Sequence, residues 1–171
     1  DTLCKKLLLA ALVFVIGQSG LAQEKLSKKI NKTYVMTNAG KLHLENKYGN
    51  INLHGWDKDE LSVEIAITIN HRKKENAEEL LRRIQPISQE GTDYVSLGYE
   101  ILDKSSNWFT NFFDKANPFD YDRSNIQIDY TVFVPKKTEL KLTNTFGDII
   151  IEDWSGKLKT LVEHGDIWVG E

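Results

Sequence analysis

Three stretches of this chain share one pattern, and that repetition limits the possible folds more than any other feature. Leu42, Leu44, Asn46, Tyr48, Gly49, Asn50, Ile51 and Leu53 return in the same order and spacing as Leu140, Leu142, Asn144, Phe146, Gly147, Asp148, Ile149 and Ile151. A degraded third copy runs through Leu158, Thr160, Val162, His164, Gly165, Asp166, Ile167 and Val169. The first two glycines are 98 residues apart and the last two 18 apart, and Trp56 and Trp154 each follow their glycine by seven residues. Apolar residues alternate on both sides of the glycine, which is the period of a half-buried strand, so each copy reads as strand, tight turn, strand. Gly49, Gly147 and Gly165 suit a backbone needing positive φ, and Asn50, Asp148 and Asp166 suit local backbone bonding in the turn. A period of 18 residues is short for a pair of helices and fits one rung of two short strands. Stacked rungs would align Ile51, Ile149 and Ile167, and likewise Leu53, Ile151 and Val169. At about 1.5–3 kcal/mol for each fully buried aliphatic side chain, such ladders would dominate the stability of that region. Ordinary antiparallel hairpins are the alternative.

The expected fold is therefore mainly β: a β-solenoid or β-helix-like stack of short strands with one amphipathic helix packed on or capping the sheet. The helix is predicted over 72–84, with Asn70 as its N-cap, Ala77, Leu80, Leu81 and Ile84 as one apolar stripe, and Pro86 as its stop. Glu78–Arg82 and Glu79–Arg83 pairs would support its wet side. Before it, Leu61, Val63, Ile65, Ile67 and Ile69 share one face of a long strand; strands also fit about 94–102 and 125–134. The third rung carries Val162 and His164 where the others carry Asn and an aromatic ring, so it is expected to be imperfect. Its counterpart of Trp56 would fall one residue past Glu171, and we expect the natural protein to continue with further rungs, since a bare rung leaves a strand edge open to aggregation.

The first residues read as an address. Lys5 and Lys6 precede an 11-residue apolar run from Leu7 to Gly17, and Gly20 and Ala22 supply small residues for cleavage. Eleven residues are too few to span a bilayer as a helix. Cys4 lies ahead of the run, away from the position of a lipid-bearing cysteine. We expect residues 1–22 to be a cleaved signal peptide and 23–171 one β-rich domain: a strand–helix–strand unit with the first repeat over 33–135, then repeat rungs over 136–171. The localisation that follows is exported: periplasm, outer-membrane surface or extracellular. Loss of the leader removes the only cysteine, which excludes disulfides and thiolate chemistry from the mature chain.

No basic surplus points to nucleic acid, since 25 acidic side chains outnumber 22 lysines and arginines. His43, His54, His71 and His164 show no metal-ligand spacing, and no nucleophile-elbow, P-loop or dinucleotide motif is present. Asp120, Asp122 and Ser124 start like a calcium loop but lack its turn glycine and final glutamate. No cofactor, no metal and no enzymatic activity are expected. The one segment that stands out holds Trp108, Phe109, Phe112, Phe113, Phe119 and Tyr121, six of the 17 aromatic residues within 14 positions. It either folds back over the sheet or presents rings to a protein, glycan or envelope partner, and these six are the candidate binding residues.

The leader, the run from Glu45 to Ile51, the pair Trp56 and Asp57, and the strand–helix–strand unit resemble a known family. So do the aromatic segment before Ile128–Pro135 and the run from Asn144 to Ile149. Together they resemble the bacterial "putative adhesin" domain family of unknown function, related to the head domains of autotransporter adhesins. The resemblance implies an exported β-repeat protein of the cell envelope, acting by surface display or binding, with no catalytic residues to carry over. The alternatives are an envelope-sensing accessory protein that binds a membrane-protein partner, and a polysaccharide-active β-helix enzyme using Asp148 or Asp166.

Overall fold

The computed structural model describes residues 24–102 and 125–170. Among the described residues eleven strands and one helix follow in chain order: β1 (Glu24–Val35), β2 (Lys41–Tyr48), β3 (Ile51–Trp56), β4 (Glu60–His71), α1 (Lys74–Arg83), β5 (Ile84–Gly91), β6 (Tyr94–Ile101), β7 (Ile126–Pro135), β8 (Glu139–Phe146), β9 (Ile149–Glu152), β10 (Leu158–His164) and β11 (Ile167–Val169). They form two mixed sheets, ordered β1-β4-β7-β3-β9-β11 and β10-β8-β2-β6-β5. The predicted signal peptide and the aromatic segment from Trp108 to Tyr121 lie outside the described residues.

Within each sheet, four neighbouring strands run parallel: β7, β3, β9 and β11 in one, and β6, β2, β8 and β10 in the other. The repeats are therefore neighbours in space despite their distance in sequence. Ile51 sits beside Ile149 and Ile149 beside Ile167. Leu42 sits beside Leu140 and Leu140 beside Leu158, the alignment that the repeat predicts. The outer strands β1, β4 and β5 pair antiparallel, so the sheets are mixed and not one uniform run of rungs.

Alternate side chains of every central strand point into one shared core. Leu61, Val63, Ile65, Ile67 and Ile69 of β4 are all buried, as are Ile128, Tyr130, Val132 and Val134 of β7. These are period-2 faces of strands covered on one side, and the apolar area they remove from water is the main favourable term in folding. The Tyr130 phenol shares this environment, and desolvation pushes its pKa well above the ordinary value, with the nearby Tyr34 adding to the effect.

The helix starts later than its sequence suggests. Asn70 stays in β4, paired with Lys25 of β1, and Lys73 occupies the N-cap position without a side-chain hydrogen bond. Cross-strand pairing with β1 holds the backbone extended through His71, so Asn70 never reaches a capping geometry. At the other end the helix stops at Arg83, three residues before Pro86, and Ile84 opens β5. Pro86 sits within β5, opposite Tyr99; β5 is an edge strand, where a residue with no N–H is tolerated. Ala77 and Leu80 are buried, and α1 packs against β1, β4 and β5. It thereby covers the end of the core where those three strands lie.

Candidate functional site: the glycine-turn ladder and the outward aromatic face

Each repeat makes the same set of bonds to the next one. The Gly49 N–H donates to the Phe146 carbonyl (2.8 Å) and the Gly147 N–H to that of His164 (3.0 Å). The Ile51 N–H donates to the Asp148 carbonyl and the Ile149 N–H to that of Asp166, both at 2.9 Å. Side chains at the turn join the ladder. Asp129 Oδ1 accepts from the Asn50 N–H (2.8 Å), Asn50 Oδ1 from the Asp148 N–H (2.9 Å), and Asp148 Oδ1 from the Asp166 N–H (2.9 Å). The Asx side chains thus hold the neighbouring rung's backbone and not their own turn, a role that spacing within one copy does not show.

The three glycines are required because rungs approach closely there. A Cβ on Gly147 would stand 2.2 Å from the Gly49 carbonyl oxygen, and one on Gly165 would stand 2.1 Å from that of Gly147. Gly49 and Gly147 also have φ of 121° and 132°, which favours glycine. Gly165 does not adopt positive φ, so of the two reasons only the close approach holds it as glycine. The rings stack in the same column. Tyr48 lies 5.9 Å from Phe146 with planes 3° apart, and Phe146 lies 4.9 Å from His164 with planes 7° apart. His164 therefore continues the aromatic column. Val162 does interrupt another one: Asn46 Nδ2 donates to the Ile128 carbonyl (3.0 Å) and Asn144 Nδ2 to that of Gly49 (2.9 Å), and valine has no such donor.

Among the described residues β10 and β11 are the outermost rung of the column, and equivalent positions are more exposed there. Ile51 and Ile149 are 0% exposed and Ile167 is 41%; Leu53 and Ile151 are 0% and Val169 is 56%. On the outward faces Leu161 and Trp168 are exposed as well. Asp166 holds the corresponding Asx place in this rung, its N–H donating to Asp148 Oδ1 at 2.9 Å.

A second cluster lies on the outer face of the β1–β11 sheet. His54 stacks on Phe133 at 5.1 Å, Trp56 packs on Phe133 at 5.2 Å, and Lys58 Nζ stands 4.4 Å from the Trp56 ring centre. His54 Nδ1 also faces Glu152 Oε2 at 3.2 Å. Sequence reading does not find this cluster; its one trace is Phe133, which breaks the polar outward series Gln127, Asp129 and Thr131.

The other sequence candidates are dispersed. His43 pairs with Glu45 (3.0 Å), and His71 Nδ1 accepts from the Lys73 N–H (2.9 Å). Asp57 pairs with Lys136 at 2.8 Å, and this carboxylate holds the ammonium pKa above its ordinary value. Among the described residues no three His, Cys, Asp or Glu side chains group as a metal site, and no helix is long and apolar enough to cross a membrane. The candidate binding residues Trp108, Phe109, Phe112, Phe113, Phe119 and Tyr121, and the calcium-like run at Asp120, lie outside the described residues. β6 ends and β7 begins, on either side of that segment, at the edge of the stack where the repeats make their turns.

No protein-family model and no curated protein matches the chain. Solved structures similar to it include a "putative cell adhesion protein" from Clostridium sporogenes, with TM-score 0.39 and 14% identity over 84% of this chain and 59% of that one. Another is a "putative adhesin" from Bacteroides fragilis, with TM-score 0.32 and 13% identity over 83% and 53%. A third is a "putative adhesin" from Parabacteroides distasonis, with TM-score 0.29 and 10% identity over 79% and 47%. This chain spans roughly half the length of those proteins. Their names agree with the family that the sequence motifs resemble; at these TM-scores the likeness carries no argument about what this chain does.

Proposed function

We propose that this is an exported, adhesin-like binding protein of the cell envelope, non-enzymatic, built as a short β-solenoid closed at one end by α1 and β1. The observation that carries this reading is the outward face of the β1–β11 sheet, where His54 and Trp56 pack on Phe133 and Trp168 lies exposed in the same phase. Aromatic rings on an outward sheet face suit stacking on a partner's rings or sugar faces. The leader-like start supports export, and the order of the motifs supports the adhesin-like assignment.

The test is binding of the purified chain to envelope fractions and to a glycan array, beside a Leu161→Lys/Trp168→Lys variant of confirmed fold. Saturable binding by the parent, weakened at least tenfold in the variant, supports the reading. Equal binding by both removes Leu161 and Trp168 from the function. Turnover of an envelope glycan, abolished by Asp148→Ala, would replace the reading with the enzymatic one.

A further inference from the structure

We infer that the outward face around Trp56, Phe133 and His54 binds a neutral glycan, its sugar rings stacked on the aromatic rings and held by Asn52, Ser62 and Thr131. This rests on the binding reading above and names the partner's chemistry.

Strand register assembles the site. Ser62, Phe133, His54 and Glu152 stand side by side across β4, β7, β3 and β9, a row of about 14 Å at ordinary strand spacing. Two residues back along the strands, Thr131 and Asn52 are neighbours in the next row, and Trp56 lies two residues beyond His54 on the same face of β3. The rings and the three polar side chains are half-buried, while the alternate residues Leu53, Val63 and Val132 are fully in the core. Trp56 Nε1 donates to the Glu60 carbonyl at 2.7 Å, which fixes the ring before any partner arrives. Its repeat counterpart, Trp154, packs against the hydrophobic core, whereas Trp56 packs on Phe133 of the outward face.

Charge selects the partner. Lys29 Nζ donates to Glu64 Oε1 and Lys136 Nζ to Asp57 Oδ2, both at 2.8 Å, and Glu152 Oε2 faces His54 Nδ1 at 3.2 Å. Asp129 accepts from the Asn50 N–H and from Gln127 Nε2, each at 2.8 Å. The Lys58 ammonium is met by the Trp56 ring. The face thus answers its own charges, and a strongly acidic or basic partner would have to break these pairs. A neutral polyhydroxylated partner complements it without that cost. Its C–H faces suit the rings, and its hydroxyls suit one amide and two hydroxyl side chains, which both donate and accept.

The experiment applies the chain to an array of neutral oligosaccharides beside sialylated and sulfated ones, then titrates the strongest neutral member by calorimetry. Saturable binding is expected, unchanged between about 0.1 M and about 1 M salt. Trp56→Ala should weaken it at least tenfold and Asn52→Ala about tenfold, the loss of one hydrogen bond. Asn52→Ala leaves the rings and the core in place, and an unchanged melting temperature verifies that this variant is folded. No neutral glycan bound, binding confined to the sialylated or sulfated members, or equal binding by the parent and both variants would overturn the inference. Envelope binding without neutral-glycan binding would remove the glycan site and leave the adhesin-like reading standing; the reverse result would do the opposite.

Discussion

At one end of the parallel strands, β1 carries Lys25, Lys28, Lys29 and Lys32 along a sheet edge, and α1 sets Ala77 and Leu80 against the core behind it. At the other side of the described residues, β10 and β11 present Leu161, Ile167, Trp168 and Val169 to solvent, beside the exposed Lys159 and Glu163 of β10. Edge lysines are a common protection against unwanted strand pairing, so the contrast is between an edge strand dominated by lysines and a rung whose apolar columns continue those of its neighbours.

The sharpest way to break this comparison is to insert the same methyl group at the middle and at the end. Gly147→Ala combines positive φ with a clash against a carbonyl held on both sides, and should cost about 3 kcal/mol or more. Gly165→Ala meets a similar clash without the φ penalty, and should cost about 1 kcal/mol. Denaturant melts of both variants decide it; equal losses would mean that the last rung is held as firmly as the middle one. Next in size, Ile149→Ala should cost about 3 kcal/mol and Ile167→Ala about 1 kcal/mol, since only the first leaves a closed cavity. Asn144→Val should cost about 1 kcal/mol by removing one of the two side-chain donors, Asn46 and Asn144, to the Gly49 carbonyl.

Tyr130 allows a test by pH. Its folded-state pKa is raised, so its contribution is fully present below the ordinary 10.0 and is lost as pH rises from there toward the folded value. The melting temperature should therefore fall above about pH 10, and Tyr130→Phe should flatten that fall. The smallest effect on stability belongs to the two edges themselves. Leu161→Lys with Trp168→Lys should change unfolding free energy by less than about 0.5 kcal/mol while reducing self-association in light scattering. Lys28→Val with Lys29→Val should raise self-association at the blunted end.

Much of this architecture is legible in the residues. The alternation in β4 identifies its buried face, and the repeated ring–Gly–Asx core identifies strands that pair across 98 residues. What escapes is set by partners and not by local pattern. β1 carries lysines at inward-phase positions 28 and 32, so its alternation is hidden; it forms because β4 offers it twelve residues of pairing. The helix boundary at Asn70 moves for the same reason, and Pro86 reads as a stop until β5 is seen to be an edge. In the candidate site, the exposed last rung follows from the repeat, whereas the His54–Phe133–Trp56 cluster depends on β3 lying beside β7 and has no signature within either strand.

The order of the rungs in space differs from their order along the chain, and this has a kinetic consequence. The unit made by β2 and β3 lies between β6–β7 on one side and β8–β9 on the other, both of which come later in the sequence. During synthesis or export it must wait, with both flanks unpaired, until residues 94–152 have emerged. Contacts of such long sequence separation place the chain among slow folders, because loop closure precedes the pairing that rewards it. Its most exposed intermediate is therefore a bare strand–turn–strand unit, β2 and β3, whose two strands join different sheets and do not pair with each other. A chaperone acting on this protein during transit should recognise residues 41–56 first, and refolding at high protein concentration should lose yield through pairing between chains at that unit.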